Sequence, residues 1–211
     1  MRSDQTARDN LIKTMLFLHS RGWCDGTGGN FSVCLHHDPL QLLMAPSGVD
    51  KGSVQAEELI VVDANGAVTD GNGRASAETE LHLCIMSSVG AGAVLHTHSV
   101  AATVLSRVHG CDGFVQLEGW EMLKGLNGIK SHETTLALPV VDNNQDMKQL
   151  SASVKPHLHG PAWGILVAGH GLYAWGENLE QARRHVEIIE FLLSAHLHYQ
   201  QLRNTTDQIK P

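Results

Sequence analysis

The chain is short of several things, and each shortage removes a class of function. Aromatic residues make up only 5% of its 211 positions. No apolar run approaches the ~20 residues that a membrane-spanning helix needs, so no membrane partner is expected. The four cysteines, Cys24, Cys34, Cys84 and Cys111, form neither a CxxC pair nor a tight cluster. They read as reduced thiols, not as a disulfide framework. Neither GxGxxG nor GxxxxGK[ST] occurs, so the common nucleotide-binding loops are missing. Basic residues are outnumbered, 15 Lys and Arg against 22 Asp and Glu, for a net charge of −7. That balance argues against nucleic acid as the main partner, because phosphate backbones require a basic footprint. The opening MRSDQTARDN has no apolar core of the secretory type, which points to the cytoplasm.

What remains is an ordinary globular composition, 42% hydrophobic and 18% charged, with 21 glycines and an unusual 14 histidines. The length suits one domain over residues 1–211, with a polar, loose tail from about residue 203. Apolar spacing predicts helices over 4–20, 78–89, 99–107, 146–156 and from a cap at Asn178 onward. Strands are expected at 31–35, 40–45, 59–63, 67–69, 93–98, 136–141, 164–168 and 172–175, with a hairpin across Asn65-Gly66. A short helical patch is expected at 119–126. Strands mixed with helices throughout imply a layered α/β domain, and the short links between strands argue against a purely parallel sheet.

Two segments carry metal-binding chemistry. In AVLHTHS (93–99), His96 and His98 lie two residues apart at the end of an apolar strand, so alternation turns both imidazoles to one face. Alone, such a pair is better explained as two buried, hydrogen-bonded histidines, but here it ends an apolar strand, where sites tend to open. In LVAGHGLYAWG (166–176), His170 stands between glycines that let the backbone turn and approach a ligand closely. Alone, it is an ordinary turn residue. Together the three histidines outline a site with a fourth position open for water or substrate, as catalytic metals require. Three imidazoles suit zinc, iron, manganese or cobalt.

Three small polar loops are candidates for holding a phosphate. DGTGGNFS (25–32) offers Gly29 and Asn30, APSGVDKG (45–52) offers Ser47, Gly48 and Lys51, and RASAETELH (74–82) places Ser76 before a helix. Each loop taken singly is also explained as a turn. Two acids are candidates for proton transfer. Glu78 opens a helix, where it also complements the helix dipole. Glu121, in LEGWEMLKG with Glu118, would have a raised pKa if it lay beside a metal and apolar groups. Nearby Trp120, Met122 and Phe114 fit either core packing or contact with an apolar part of a substrate.

GTGGNFS, APSGVDKG, SAETELH, VLHTHS and LVAGHGLYAWG, in this order, resemble the class II aldolase/adducin family from about residue 10 to 200. The resemblance implies a three-layer α/β/α sandwich with a largely antiparallel central sheet, and a homotetramer with sites near subunit interfaces. It implies one Zn2+ per subunit on His96, His98 and His170, and phosphate binding by the GTGGN and PSG segments. Glu78 matches the acid/base glutamate of the family's aldolases. Glu121 falls where its dehydratases carry theirs. Some eukaryotic dehydratases have a cysteine at the position of Glu78, so Glu121 is the expected acid/base. The stretches EGWEMLKGL, GIKSHETTLALPVVDNNQDM and HGLYAWGENLEQAR favour a dehydratase acting on a ketose 1-phosphate. The alternatives are a sugar-phosphate aldolase and, more remotely, a non-catalytic adducin-like module. The family's aldolases use a tyrosine to protonate the departing enolate, and neither Tyr173 nor Tyr199 is obviously placed for that.

Overall fold

A computed structural model describes residues 2–209. Its backbone is a nine-stranded sheet flanked by helices on both faces. In chain order the elements are α1 (Arg2–Ser20), β1 (Asn30–His37), β2 (Leu40–Met44), β3 (Ile60–Asp63), β4 (Val68–Asp70), α2 (Thr79–Val89), β5 (Ala93–Thr97), α3 (Val100–Val108), β6 (Phe114–Leu117), β7 (Leu136–Val141), α4 (Met147–Val154), β8 (Gly164–Val167), β9 (Gly171–Gly176) and α5 (Leu179–Ile209). Across the sheet the order is β4-β3-β2-β1-β5-β9-β8-β7-β6. Every neighbouring pair is antiparallel except β7 with β8. This is the three-layer, largely antiparallel sandwich expected.

Burial explains the layers. Leu11, Met15 and Leu18 form one stripe of α1 and are fully buried, as are Ala182, Val186, Ile189 and Leu193 on α5. With Ala102 and Leu105 of α3 they cover one face of the sheet. Leu81, Ile85 and Met86 of α2 and Leu150 and Val154 of α4 cover the other. Caps fix the helix starts: Ser99 accepts from Ala102 N, Asp146 from Lys148 and Gln149 N, and Asn178 from Gln181 N.

Three features depart from the sequence reading. Strand β6 has no counterpart in it; only Val115 and Leu117 of its four residues are buried, a pattern too short to stand out. The helix expected over 146–156 ends at Val154 and tightens into a 3-10 turn at Lys155–His157, where Pro156 lacks the amide an α-helix needs. Helix α5 runs through Ile209 instead of loosening at 203, because no glycine or proline interrupts the segment. No helix of the described residues is long and apolar enough to cross a membrane, and all four cysteines are free.

Candidate metal centre

The site forms where β5 ends, β9 begins and α2 starts. Along β5, Ala93 and Leu95 face α1, α3 and α5, whereas Val94 faces α2 and α4. Alternation therefore sends His96 to the α2 side, toward Glu78, the residue immediately before α2. His170 arrives from the β8–β9 turn. Gly169 has φ +66°, and a Cβ on Gly171 would stand 2.1 Å from the Thr97 carbonyl oxygen, so both glycines are required for that turn to reach β5. Helix α3 holds the turn: Thr103 Oγ1 donates to His170 O at 3.1 Å, and Gly169 N donates to Ser106 Oγ at 3.0 Å.

One ligand atom each from Glu78, His96, His98 and His170 lies within 4.8 Å of all the others. His96 Nε2 is 2.7 Å from His98 Nε2 and 3.3 Å from His170 Nε2. Glu78 Oε1 is 3.1 Å from His170 Nε2 and 3.7 Å from His96 Nε2. His96 Nδ1 lies 2.9 Å from Leu172 O. A carbonyl only accepts, so Nδ1 carries the proton and Nε2 turns a lone pair into the cluster. Burial holds the pKa of His96 well below normal, and His98 and His170 push it the same way. His98 is lowered by burial and by His170. Both are thus in the neutral form that ligates metals. Burial alone would raise Glu78; the His170 hydrogen bond and the surrounding histidines outweigh it and hold the carboxyl well below its usual range.

This donor set fits a divalent cation. Two nitrogens bound to one zinc at tetrahedral angle stand about 3.3 Å apart, given arms of about 2.0–2.1 Å. The His96–His170 separation is 3.3 Å, matching that span, whereas His96 and His98 stand closer, at 2.7 Å. Three imidazoles plus one carboxylate also suit the borderline metals chemically.

The three polar loops meet around this cluster. A Cβ on Gly28 would lie 3.1 Å from His98 Nδ1, and one on Gly29, at φ +77°, 2.7 Å from His96 O. Asn30 donates to Glu78 Oε2 and, at 3.2 Å, to Ser76 Oγ. Ser47 N donates to Arg74 O at 2.8 Å, joining the second loop to the third. Gly48 lies beside it at φ +81°. Lys51 is 1% exposed, and its ammonium donates to Thr27 O at 2.8 Å and Val49 O at 2.9 Å. Two of its three donors thus tie the first loop to the second, which differs from the free phosphate contact expected of it.

Glu121 is not brought to the cluster within one chain. Its side chain is 69% exposed, pairs with Lys124 and lies 3.6 Å from His132. The pairing with Lys124 lowers its pKa, opposite to the raised value an acid/base beside a metal would show. Phe114 and Met122 are exposed, so core packing does not account for them, whereas Trp120 is half-buried and packs against the core. Tyr173 stacks on His96 with ring centroids 3.8 Å apart. It therefore backs one of the clustered imidazoles, and Tyr199 stands against Trp120 on the surface. Sequence reasoning missed Asn30 as a partner of Glu78, Thr103 and Ser106 behind His170, and buried Glu190 behind Thr97.

The Class II Aldolase and Adducin N-terminal domain matches residues 9–197. A methylthioribulose-1-phosphate dehydratase of Sorangium cellulosum is 44% identical over 191 residues, covering 89% of each chain. Another, from Pseudoalteromonas translucida, is 42% identical over 203 residues and 93% of each chain. The solved L-fuculose-1-phosphate aldolase of Thermus thermophilus superimposes with a TM-score of 0.77 over 97% of this chain and 99% of its own; at 24% identity it speaks for the fold.

Proposed function

The chain belongs to the class II aldolase and adducin N-terminal domain family, and from that premise we propose that it dehydrates 5-methylthioribulose 1-phosphate to 2,3-diketo-5-methylthiopentyl 1-phosphate, a step of methionine salvage. The observation that carries the reading is the convergence of three imidazole nitrogens and a carboxylate in a chain so similar to dehydratases along nine-tenths of its length. The cofactor is one Zn2+ per subunit, held by His96, His98 and His170. When bound, it supplies Lewis acidity to the substrate's C2 carbonyl and C3 hydroxyl, which acidifies the C3 proton.

The chain's own groups do the rest. The loops carrying Gly29, Asn30, Ser47, Gly48 and Ser76 grip the phosphate, and Lys51 braces two of them. Remote binding of this kind fixes the position of the reacting carbon. A carboxyl held as far down as Glu78 is a reluctant proton acceptor. Glu78 therefore serves as fixed negative charge beside the cation. Glu121 is the acid/base: it removes the C3 proton and returns it to the departing C4 hydroxyl as water forms, after which the enol relaxes to the ketone. Since Glu121 stands outside its own chain's cluster, a neighbouring copy in a homotetramer delivers it. The enzyme works in the cytoplasm, where its free thiols persist.

Aldol cleavage is the second reading, favoured by the presence of Glu78 in the cluster. Mass spectrometry of the zinc-loaded protein with the substrate separates the two. Dehydration yields a product lighter by one water, lost on chelation and recovered on adding zinc back. Dihydroxyacetone phosphate with a methylthio-aldehyde would mean cleavage instead. Shared sites predict that His96→Ala and Glu121→Gln subunits, each inactive alone, regain activity when co-expressed. No recovery in such mixed oligomers would refute delivery of Glu121 from a neighbour.

A further inference from the structure

Glu190 of α5 is 2% exposed and lies behind the metal centre, on the opposite face of β5. Its Oε1 accepts a hydrogen bond from Thr97 Oγ1 at 2.5 Å. The Ser99 hydroxyl also favours its charged form. Ser99 Oγ accepts from Ala102 N at 3.0 Å, so its own proton is free to be donated. No lysine, arginine or histidine pairs with Glu190 among the described residues, and its Oε2 is buried without a partner. A buried carboxyl without a cation burdens a fold, and an apolar side chain there would be the more stable choice.

Thr97 and Ser99 flank His98. The sheet cannot orient that histidine by itself, because pairing of β5 ends at Asn30↔His96 on one side and Thr97↔Leu172 on the other. At His98 itself the backbone N–H is held by Trp23 O at 2.7 Å, outside the sheet ladder. Ser99 also starts α3, the helix whose Thr103 and Ser106 hold the turn of His170. We propose that Glu190 is the positioning residue of the metal centre, holding the Thr97 hydroxyl beside His98 so that the three imidazoles present their nitrogens to one point. It acts through Thr97 and touches neither metal nor substrate. The inference rests on the metal-binding part of the functional reading and is independent of which reaction the metal serves.

The test is zinc affinity, measured on metal-free protein by competition with a chromophoric chelator, beside thermal unfolding of the same metal-free samples. Glu190→Ala and Thr97→Val should each weaken zinc binding about 10–100-fold, the range seen when supporting partners of ligands are lost. The double variant should be no worse than the weaker single one, since both cut the same link. Glu190→Gln and Thr97→Ser keep a hydrogen-bonding group and should restore affinity to within about threefold. A merely structural role would lower the unfolding temperature without this pattern of coupling and rescue. If Glu190→Ala does not fold, the Thr97→Val and Thr97→Ser pair decides the matter. Single variants that bind zinc as tightly as the parent would overturn the clamp while leaving the metal site standing. A parent protein that binds no zinc would overturn both.

Discussion

Glu190→Gln also makes a quantitative prediction about stability. Burial raises the Glu190 pKa from 4.5 to about 7, with Ser99 and Thr97 pulling against the rise. The group is raised on folding, so between these two values the native state binds a proton that the unfolded chain has released. Stability from this residue is therefore present below about pH 4.5 and is lost as pH climbs through 7. A shift of that size corresponds to about 3 kcal/mol. In a domain of this length that is roughly 6–12 °C of unfolding temperature. Glutamine has nearly the shape of the protonated acid and does not titrate. Metal-free Glu190→Gln and parent proteins should therefore unfold at similar temperatures near pH 5, and the variant should gain progressively toward pH 8. Calorimetric scans at half-unit pH steps read this directly. A difference that stays constant with pH, or a parent that is the more stable at pH 8, would refute the argument that the carboxyl is buried without adequate compensation.

Two further substitutions test the loops. Lys51→Met strips the donor from two carbonyls and should cost about 2–4 kcal/mol in urea unfolding, given about 1–3 kcal/mol per unsatisfied buried group. Were Lys51 mainly a phosphate ligand, KM would rise while stability held. Gly29→Ala forces a Cβ to within 2.7 Å of His96 O at a φ of +77°, and should lose about 2–4 kcal/mol together with much of the zinc affinity. Unchanged zinc binding in that variant would show that the first loop does not brace the histidine strand.

Legibility of the sequence followed the range of each interaction. The clustering of His96, His98 and His170 was readable because strand alternation and two flanking glycines are local signals, and the sheet brings the three together. Glu78 was less readable. Its part depends on Asn30, 48 positions away, and on a turn nearly a hundred residues later. Lys51 was read as a phosphate-loop residue, and its bracing role stayed hidden because its carbonyl partners lie in loops whose folding the sequence does not display. Glu190 had left a trace. It follows Val186 by four and precedes Leu193 by three, an acid set into the apolar stripe of α5. An acid on such a stripe asks for a buried partner, and Thr97 supplies one. Strand β6 and the sheet order were out of reach, because pairing among nine short strands is decided by contacts distant in sequence.

The strand bearing His96 is fifth of the nine across the sheet. Edge strands and helix ends open by brief local fluctuations, whereas an inner strand with neighbours on both sides exchanges its amide hydrogens only when most of the molecule comes apart. The amides of Val94 and Leu95 should therefore be among the slowest to take up deuterium. Residues near the open rim, such as Val68 or Phe114, should exchange long before them. Heat or denaturant would then abolish metal binding in the same transition that dismantles the sheet, with no partly folded stage in which the histidines scatter while the rest holds.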